Sequence, residues 1–276
     1  VNWREFLITR LIKFSGYSAI IFVSMIFFFL LKEGLPALSE VPLGDLFSTR
    51  WYPIESYYGI LPLISGSILV TVGAGIIAVP FGIGVAIYLA EIAPRWLRNM
   101  LKPLVELLGG LPSVVLGFLG ILILSPTLRV TLDLPTGLTA LSGALLLGGI
   151  AIPTVVSISE DALDAVPKSY RDAALALGAT RWQTIWRVTL PAARSGVLTA
   201  VMLGVGRSIG ETMTVMMVTG NAPILAKGLG DLFSPVRTMT ATIAAEMGEV
   251  ANASTHYHVL FFIGLVLFLI SLAVNM

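Results

Sequence analysis

The sequence predicts an all-α polytopic membrane protein with six transmembrane helices, and three observations lead to this class. Of the 276 residues, 56% are hydrophobic and only 12% are charged, about half the charged fraction of an ordinary soluble domain. Burying so large an apolar fraction in one soluble core would leave too little polar surface to cover it. The apolar residues also gather in runs long enough to cross a bilayer as helices, which takes about 20 residues each. The net charge of +1 offers no broad basic surface for nucleic acid, and the absence of cysteine excludes disulfides and thiolate catalysis.

Six apolar runs are the candidates for these helices. Five of them contain no Asp, Glu, Lys or Arg, and one carries Arg207 and Glu211. Runs of this length and apolarity are typical of bilayer-spanning helices. The predicted spans are Phe14 to Leu31, about Ser65 to Ala90, Leu107 to Leu128, Leu134 to Ser159, about Gly196 to Val218, and Val259 to Met276. No soluble segment of domain size remains, so residues 1–276 are predicted to form a single membrane domain.

The distribution of Lys and Arg predicts the orientation of the chain. Cytoplasmic segments carry an excess of these residues. Here they gather in segment 1–13, in the loop between the second and third spans, and in loop 160–194. An even number of spans places both termini on the same side of the membrane. We therefore expect both termini to be cytoplasmic.

Loop 160–194 is long for a connection between membrane helices, and long ordered loops usually carry function. After Pro167, the stretch KSYRDAALALGA favours a helix that ends at Gly178. A threonine then precedes a second helical stretch, which we expect to stop before Pro191. Two short helices joined by a sharp turn predict a rigid knob on which a partner docks.

The segment DAALALGATRWQTIWRVTLP resembles the signature loop of binding-protein-dependent ABC permeases. The residues that match the signature are Asp172, Ala173, Ala174, Gly178, Val188, Leu190 and Pro191. Asp172 replaces the usual Glu, and Val188 replaces the usual Ile. The resemblance implies a type I ABC importer permease fold, in which this loop couples the permease to an ATP-hydrolysing subunit. An ordinary amphipathic loop on the membrane surface is the alternative.

The fifth span contains the ionisable residues Arg207 and Glu211. A charged residue at mid-bilayer costs about 2.5–3.5 kcal/mol on insertion scales, so it is a functional candidate by default. In a continuous helix, two residues four apart share one face. The pair is therefore either a self-neutralising salt bridge or an anion site, in which Arg207 binds a phosphoryl group and Glu211 accepts a hydrogen bond from its proton. Sulfate carries no proton at neutral pH, so the second arrangement favours phosphate.

The third span contains the sequence GGLPSVVLG, in which Gly109, Gly110 and Pro112 predict a break in the helix. Transporters use the backbone N–H groups at the start of a broken half-helix to attract anions. Ser113 follows the break and is therefore a second candidate for the substrate pathway. A plain proline kink explains the same residues without a function.

The sequences GRSIGETMTVMMVTGN and VELLGGLPSVVLG resemble the PstC family, the membrane subunits of high-affinity phosphate ABC transporters. This resemblance implies that Arg207 and Glu211 line the translocation path. It also implies a heterodimer with a PstA-like second permease subunit, two PstB-like ATP-binding subunits, a PstS-like phosphate-binding protein, and a multi-pass location in a bacterial or archaeal cell membrane. The PstA-type half, or a permease for sulfate, molybdate or phosphonate, remains an alternative.

The chain contains no nucleotide-binding motif, since no lysine lies in a GxxxxGK[ST] phosphate loop. We therefore expect no cofactor and no enzymatic activity in this chain, with ATP and Mg²⁺ bound by partner subunits. A channel or a proton-driven carrier is the second class of function, distinguished by activity without an ATPase subunit. His256 and His258 raise the alternative of a metal site, which a plain loop edge explains as well.

Overall fold

The computed structural model describes residues 3–275, most of them in helices. In chain order the α-helices of this part are α1 (Trp3–Gly34), α2 (Ala37–Glu40), α3 (Leu43–Leu46), α4 (Leu61–Ile87), α5 (Arg95–Gly109), α6 (Ser113–Leu119), α7 (Ser125–Thr131), α8 (Ala140–Asp164), α9 (Lys168–Ala176), α10 (Arg181–Thr184), α11 (Leu190–Ala192), α12 (Arg194–Gly210), α13 (Met213–Val218), α14 (Met239–Glu246) and α15 (Thr255–Asn275). Wider π-helical turns extend α4, join α6 to α7 and join α10 to α11; they are Tyr88–Ile92, Gly120–Leu124 and Ile185–Thr189. Short 3₁₀ turns occupy Pro53–Glu55 and Leu229–Phe233. The strands β1 (Trp51–Tyr52) and β2 (Tyr57–Tyr58) form a small antiparallel hairpin.

Five helical stretches of the described chain are long and apolar enough to cross a membrane, and a sixth candidate is bent. The five stretches are Glu5–Glu40, Leu61–Ile92, Ser113–Thr131, Ala140–Asp164 and Thr255–Asn275. The sixth joins Arg181–Ala192 to Arg194–Gly210 at an angle of 72°. The all-α membrane fold is therefore confirmed. Val1, Asn2 and Met276, at the ends of the predicted domain, lie outside the described residues.

The predicted third span, 107–128, includes the end of α5, all of α6, the π-helical turn and the first part of α7. α5 ends at Gly109 and α6 begins at Ser113, which confirms the predicted break. α5 is amphipathic, with its charged and its apolar residues on opposite faces, and none of its residues is buried. Because two glycines and a proline interrupt the helical hydrogen bonds, the crossing helix begins only at Ser113, and α5 belongs to the basic loop before it.

α8 is the centre of the bundle, and α4 and α12 pack against it through glycines. Gly82 on α4 and Gly204 on α12 both face Val155, and a Cβ added at either position would lie 2.7 or 2.6 Å from that side chain. Because glycine has no side chain beyond a hydrogen atom, the three helices can approach one another closely at these positions. α1 differs, because it packs mainly on α15 and leaves most of its apolar surface exposed.

The long loop forms the predicted knob of two helices. α9 ends before Gly178, whose φ of +84° is a left-handed conformation that favours glycine. Thr180 caps α10: its hydroxyl accepts the Gln183 N–H at 3.2 Å, and the Gln183 side chain accepts the Thr180 N–H at 2.8 Å. The expected stop before Pro191 is wrong. Pro191 lies in the first turn of α11, where its missing N–H is tolerated, and the chain continues into α12 across the bend.

Candidate functional site

The charged centre of the fifth span is Arg207, in the last turn of α12. Its Nη2 donates to the carbonyl oxygen of Gly109 at 2.8 Å, and its Nη1 donates to the hydroxyl of Thr154 at 3.3 Å. Gly109 ends α5, and the last carbonyls of a helix lack partners within that helix. Among the described residues, these neutral groups of α5 and α8 hold Arg207. Within the described part of this chain, no ion pair therefore neutralises the positive charge of its guanidinium.

The expected helical pair of Arg207 and Glu211 does not form in the described structure. α12 ends at Gly210, and Glu211 has extended backbone angles of −69° and 127°. Its Oε1 instead accepts the backbone N–H groups of Thr212 at 3.2 Å and Thr214 at 3.3 Å. A carboxylate is favourable there because the first N–H groups of α13 lack helical partners. The prediction of one continuous helix face is wrong, since capping of α13 competes with continuation of α12 after a glycine.

The two helix breaks lie side by side. Ser113 begins α6 after the first break, and its carbonyl oxygen accepts the hydroxyl of Thr214 at 3.0 Å. Farther along α6, a Cβ added to Gly117 would lie 3.2 Å from Thr214 Cα, so α6 approaches the backbone of α13 closely. The structure therefore brings the three predicted pathway residues, Ser113, Arg207 and Glu211, to one region where α5, α6, α12 and α13 begin or end.

This region has the chemistry of an anion site. Arg207 is exposed on the single chain, while Ser113 and Glu211 are half-buried. A guanidinium presents a planar fork of donors that matches an oxyanion. Because Arg207 is exposed, this region is open at the surface of the chain.

Residues 206–210, around Arg207, have the sequence GRSIG, which matches the GxSxG pattern of hydrolase nucleophiles. That pattern requires a sharp turn between a strand and a helix, with the serine exposed. Ser208 lies inside α12, is buried, and donates to the carbonyl oxygen of Gly204 at 3.2 Å. It is therefore a packing residue of a helix, and the pattern supplies no hydrolase chemistry here.

The signature loop exposes some of its matched residues and packs others inward. The exposed members are Asp172, Ala173, Gly178 and Pro191. The half-buried members are Ala174, Val188 and Leu190. Leu190 packs against a buried cluster that includes Ile185, whereas Leu177, next to Gly178, is 90% exposed. The exposed surface of the knob therefore combines apolar side chains with the acid Asp172 and the basic residues Lys168, Arg181 and Arg187.

Residues 78–276 match the protein family described as the binding-protein-dependent transport system inner membrane component. The chain belongs to this family. The match includes the signature loop and both helix breaks, so the region around Arg207 lies in the part of the chain that matches this family.

Individual relatives are similar over most of their length. The "Probable ABC transporter permease protein YqgH" of Bacillus subtilis (strain 168) is 43% identical over 232 residues, which cover 83% of this chain and 74% of that protein. The "Phosphate transport system permease protein PstC" of Xylella fastidiosa (strain 9a5c) is 36% identical over 264 residues, which cover 89% and 80%. The PstC protein of Mesorhizobium japonicum is 36% identical over 254 residues, which cover 85% and 76%.

Solved structures share the fold. A chain of a bacterial alginate ABC transporter, in complex with its periplasmic protein, superposes with a TM-score of 0.64 at 14% identity, covering 99% of this chain and 94% of that chain. A chain of the MetNI methionine ABC transporter, in an inward-facing conformation, gives a TM-score of 0.55 at 21% identity, with 78% and 91% covered. The fold of this membrane component is therefore that of an ABC importer permease.

The structure contains an ion cluster around Glu246 that no sequence pattern indicated. The carboxylate accepts Trp51 Nε1 at 3.2 Å and contacts Arg237 at 2.7 Å and His256 at 2.8 Å. Burial by itself raises the pKa of Glu246, but the hydrogen bond from His256, the charge of Arg237 and the hydrogen bond from Trp51 outweigh it, so the pKa lies below its ordinary value. The cluster joins the hairpin to α14 and α15.

Each of the two histidines of this permease component has an acidic partner, ten residues away for His256 and 218 residues away for His258. His256 contacts Glu246, and His258 Nδ1 lies 2.8 Å from Glu40 Oε1. No group of three metal-ligating acids or histidines occurs among residues 3–275, so the metal alternative lacks a ligand set in this part of the chain.

Proposed function

We propose that the chain is one membrane half of an ATP-driven importer, which carries inorganic phosphate from an extracytoplasmic binding protein into the cytoplasm. The relatives named PstC support phosphate as the solute, because they are phosphate transport system permease proteins. A PstA-like subunit forms the second half, two PstB-like subunits hydrolyse ATP with their own Mg²⁺, and a PstS-like protein delivers the solute. Both termini face the cytoplasm, together with the basic loops.

We place the substrate site at Arg207 because, among the described residues, its charge has only neutral partners. A salt bridge with Glu211 would leave little electrostatic attraction for an anion, but each side chain has other partners. Arg207 therefore supplies the positive charge and the donors that bind the phosphate oxygens. The Oε1 atom of Glu211 accepts the backbone N–H groups of Thr212 and Thr214. We assign its Oε2 atom as the acceptor of the hydrogen bond from protonated phosphate. Ser113 lines the same path at the start of α6.

The exposed face of the coupling loop receives the ATPase subunit. Asp172, Ala173 and Gly178 lie on this face and make the contact in the proposal, with Pro191 at its edge. The two half-buried residues Ala174 and Leu190 support the loop from inside. Transport then depends on ATP bound in a separate polypeptide.

Uptake of radiolabelled phosphate into vesicles that contain the full complex tests this proposal. ATP energises uptake, and excess unlabelled phosphate, sulfate or molybdate is added as competitor. Hydrogen bonds to charged groups contribute about 1.5–3 kcal/mol, so Arg207→Ala should raise the half-saturating phosphate concentration about 10- to 150-fold.

Arg50→Ala is the matched control, since Arg50 is exposed and 3.7 Å from Glu55 in an outer loop. It should leave uptake unchanged. Equal competition by sulfate or molybdate would keep the transporter class but reject phosphate as the preferred solute. Uptake in the absence of the ATPase subunits would instead indicate a carrier or a channel.

A further inference from the structure

Arg171 lies one residue before Asp172 of the signature loop, but it points into the protein. Its Nε and Nη2 donate to Glu91 Oε1 at 3.0 and 2.7 Å. Its Nη1 donates to the carbonyl oxygen of Val166 at 2.7 Å, and its Nη2 also donates to that of Leu163 at 2.8 Å. The side chains of Arg171 and Glu91 are only 19% and 10% exposed. A partner subunit that docks on the exposed face of α9 therefore does not compete for this arginine.

These bonds join three elements of the fold. Glu91 belongs to the π-helical turn at the end of α4, and the two carbonyl groups lie at the end of α8. Charge-assisted bonds with a bidentate geometry are directional as well as strong. Arg171 therefore fixes the orientation of the coupling helix α9 relative to both α4 and α8.

A second set of ion pairs joins α5 to α8. Arg98 contacts Glu160 and Asp164, and Lys102 contacts Glu160 and, at 2.7 Å, Asp161. The Glu160 side chain is only 1% exposed. Burial by itself lowers the pKa of Lys102, but hydrogen bonds to Asp161 and Glu160 outweigh it and raise the pKa above its ordinary value. These ion pairs hold the first half of α5 against α8.

The far end of α5 reaches the candidate substrate site. α5 has 15 residues, which corresponds to a length of about 22 Å at 1.5 Å per residue. Its last residue, Gly109, accepts the hydrogen bond from Arg207. α5 therefore begins next to the π-helical turn that contains Glu91, the partner of Arg171. It ends at the Gly109 carbonyl group, which accepts the hydrogen bond from Arg207.

We propose that the Arg171–Glu91 pair is the joint through which displacement of the coupling helix α9 reaches Arg207. With this joint intact, α9, the end of α8 and α5 move as one body, so a movement imposed on α9 shifts Gly109 and with it the guanidinium. Arg171 and Glu91 are positioning residues, because neither touches the solute in this arrangement. The inference rests on the proposed function, since it requires an ATPase subunit bound to α9.

A distance measurement between α9 and α5 tests the rigid body directly. The chain contains no cysteine, so spin labels can be attached at single introduced positions. Tyr170→Cys on α9 and Leu107→Cys on α5 replace exposed residues. At about 100° per residue, Tyr170 lies about 110° around α9 from the middle of the face that carries Asp172 and Ala173, so the label stays away from the proposed docking surface. In the full complex, we expect the same distance without nucleotide and after trapping with ATP and vanadate. A changed distance in this otherwise wild-type chain would overturn the proposal.

The functional consequence is measured as ATP hydrolysed per phosphate transported. Glu91→Gln removes the charge pair but leaves the carbonyl bonds of Arg171 and the exposed face of α9 in place. Coupling free energies between sites typically correspond to factors of about 5–150, so this ratio should rise at least about fivefold. ATPase-subunit binding should stay unchanged. Arg50→Gln, on the exposed outer pair, is the control and should leave the ratio unchanged.

Failure of this inference and failure of the proposed function are distinguishable. If the wild-type complex hydrolyses ATP but imports no phosphate, the solute proposal fails, while the spin-label distance still tests the joint. If Glu91→Gln transports phosphate with the wild-type ratio, the joint is rejected and the transport proposal stands. If the ATPase subunits do not bind the wild-type chain, both are rejected.

Discussion

Replacement of Glu160 by Gln tests how much a buried charge contributes to holding α5. The Glu160 side chain is 1% exposed and contacts both Arg98 and Lys102. Gln has nearly the same size, so the change removes the negative charge and leaves two cations facing a neutral amide. Removal of one partner from a buried ion pair costs about 3–5 kcal/mol. Arg98 and Lys102 keep Asp164 and Asp161 as partners, so we expect about 3 kcal/mol.

Thermal unfolding of the purified protein in detergent measures this loss. A destabilisation of 1 kcal/mol lowers the Tm by about 2–4 °C for a domain of roughly this size, so Glu160→Gln should lower the Tm by about 6–12 °C. Asp161→Asn is the matched control, because Asp161 also pairs with Lys102 but is 65% exposed. Exposed pairs contribute at most about 1 kcal/mol, so its shift should stay below about 4 °C. Equal shifts for the two variants would refute the reasoning that burial decides the contribution.

Gly178→Ala places a side chain in the left-handed backbone at φ +84°, which costs about 1–2 kcal/mol. Co-purification should therefore show that the ATPase subunit binds about 5- to 30-fold more weakly. Undiminished binding would contradict a role for this turn. Gly204→Ala brings a Cβ to 2.6 Å from Val155 and should lower the Tm, whereas Gly149→Ala on α8 meets no atom within 4 Å and should not. The pKa of Glu246 is lowered in the folded state, so its stabilising contribution is present above the ordinary value of 4.5 and is lost as the pH falls through the lower folded value. Glu246→Gln should therefore reduce the loss of Tm as the pH is lowered below 4.5, and equal acid sensitivity of variant and wild type would contradict this.

The membrane spans were predictable because each apolar run satisfies the requirement of the bilayer by itself. The break before Ser113 was predictable for a similar reason, since two glycines and a proline interrupt any helix locally. The break at Glu211 was not, because no proline marks it. It depends on a balance between continuation of α12 and capping of α13, and the contact of Thr214 with α6 contributes to that balance.

The candidate site was predictable in its members but not in its geometry. Arg207 stands out as a charge in an apolar run, and the signature loop is a local motif that needs no tertiary information. The partners of Arg207 come from α5 and α8, and Glu91 is 80 residues from Arg171 in the chain. Such pairs arise only when helices pack, so the sequence offered no periodicity or spacing that would have predicted them.

The partners of Arg207 have a consequence for how the chain is made. Both acceptors, the Gly109 carbonyl and the Thr154 hydroxyl, precede Arg207 in the sequence, and synthesis begins at the N-terminus. An arginine at the centre of an isolated span opposes membrane insertion by about 2.5–3.5 kcal/mol. When α12 leaves the ribosome, α5 and α8 have already been synthesised and can offer hydrogen bonds to its guanidinium. The order of the helices along the chain therefore lets the most polar span be inserted after the helices that accommodate it.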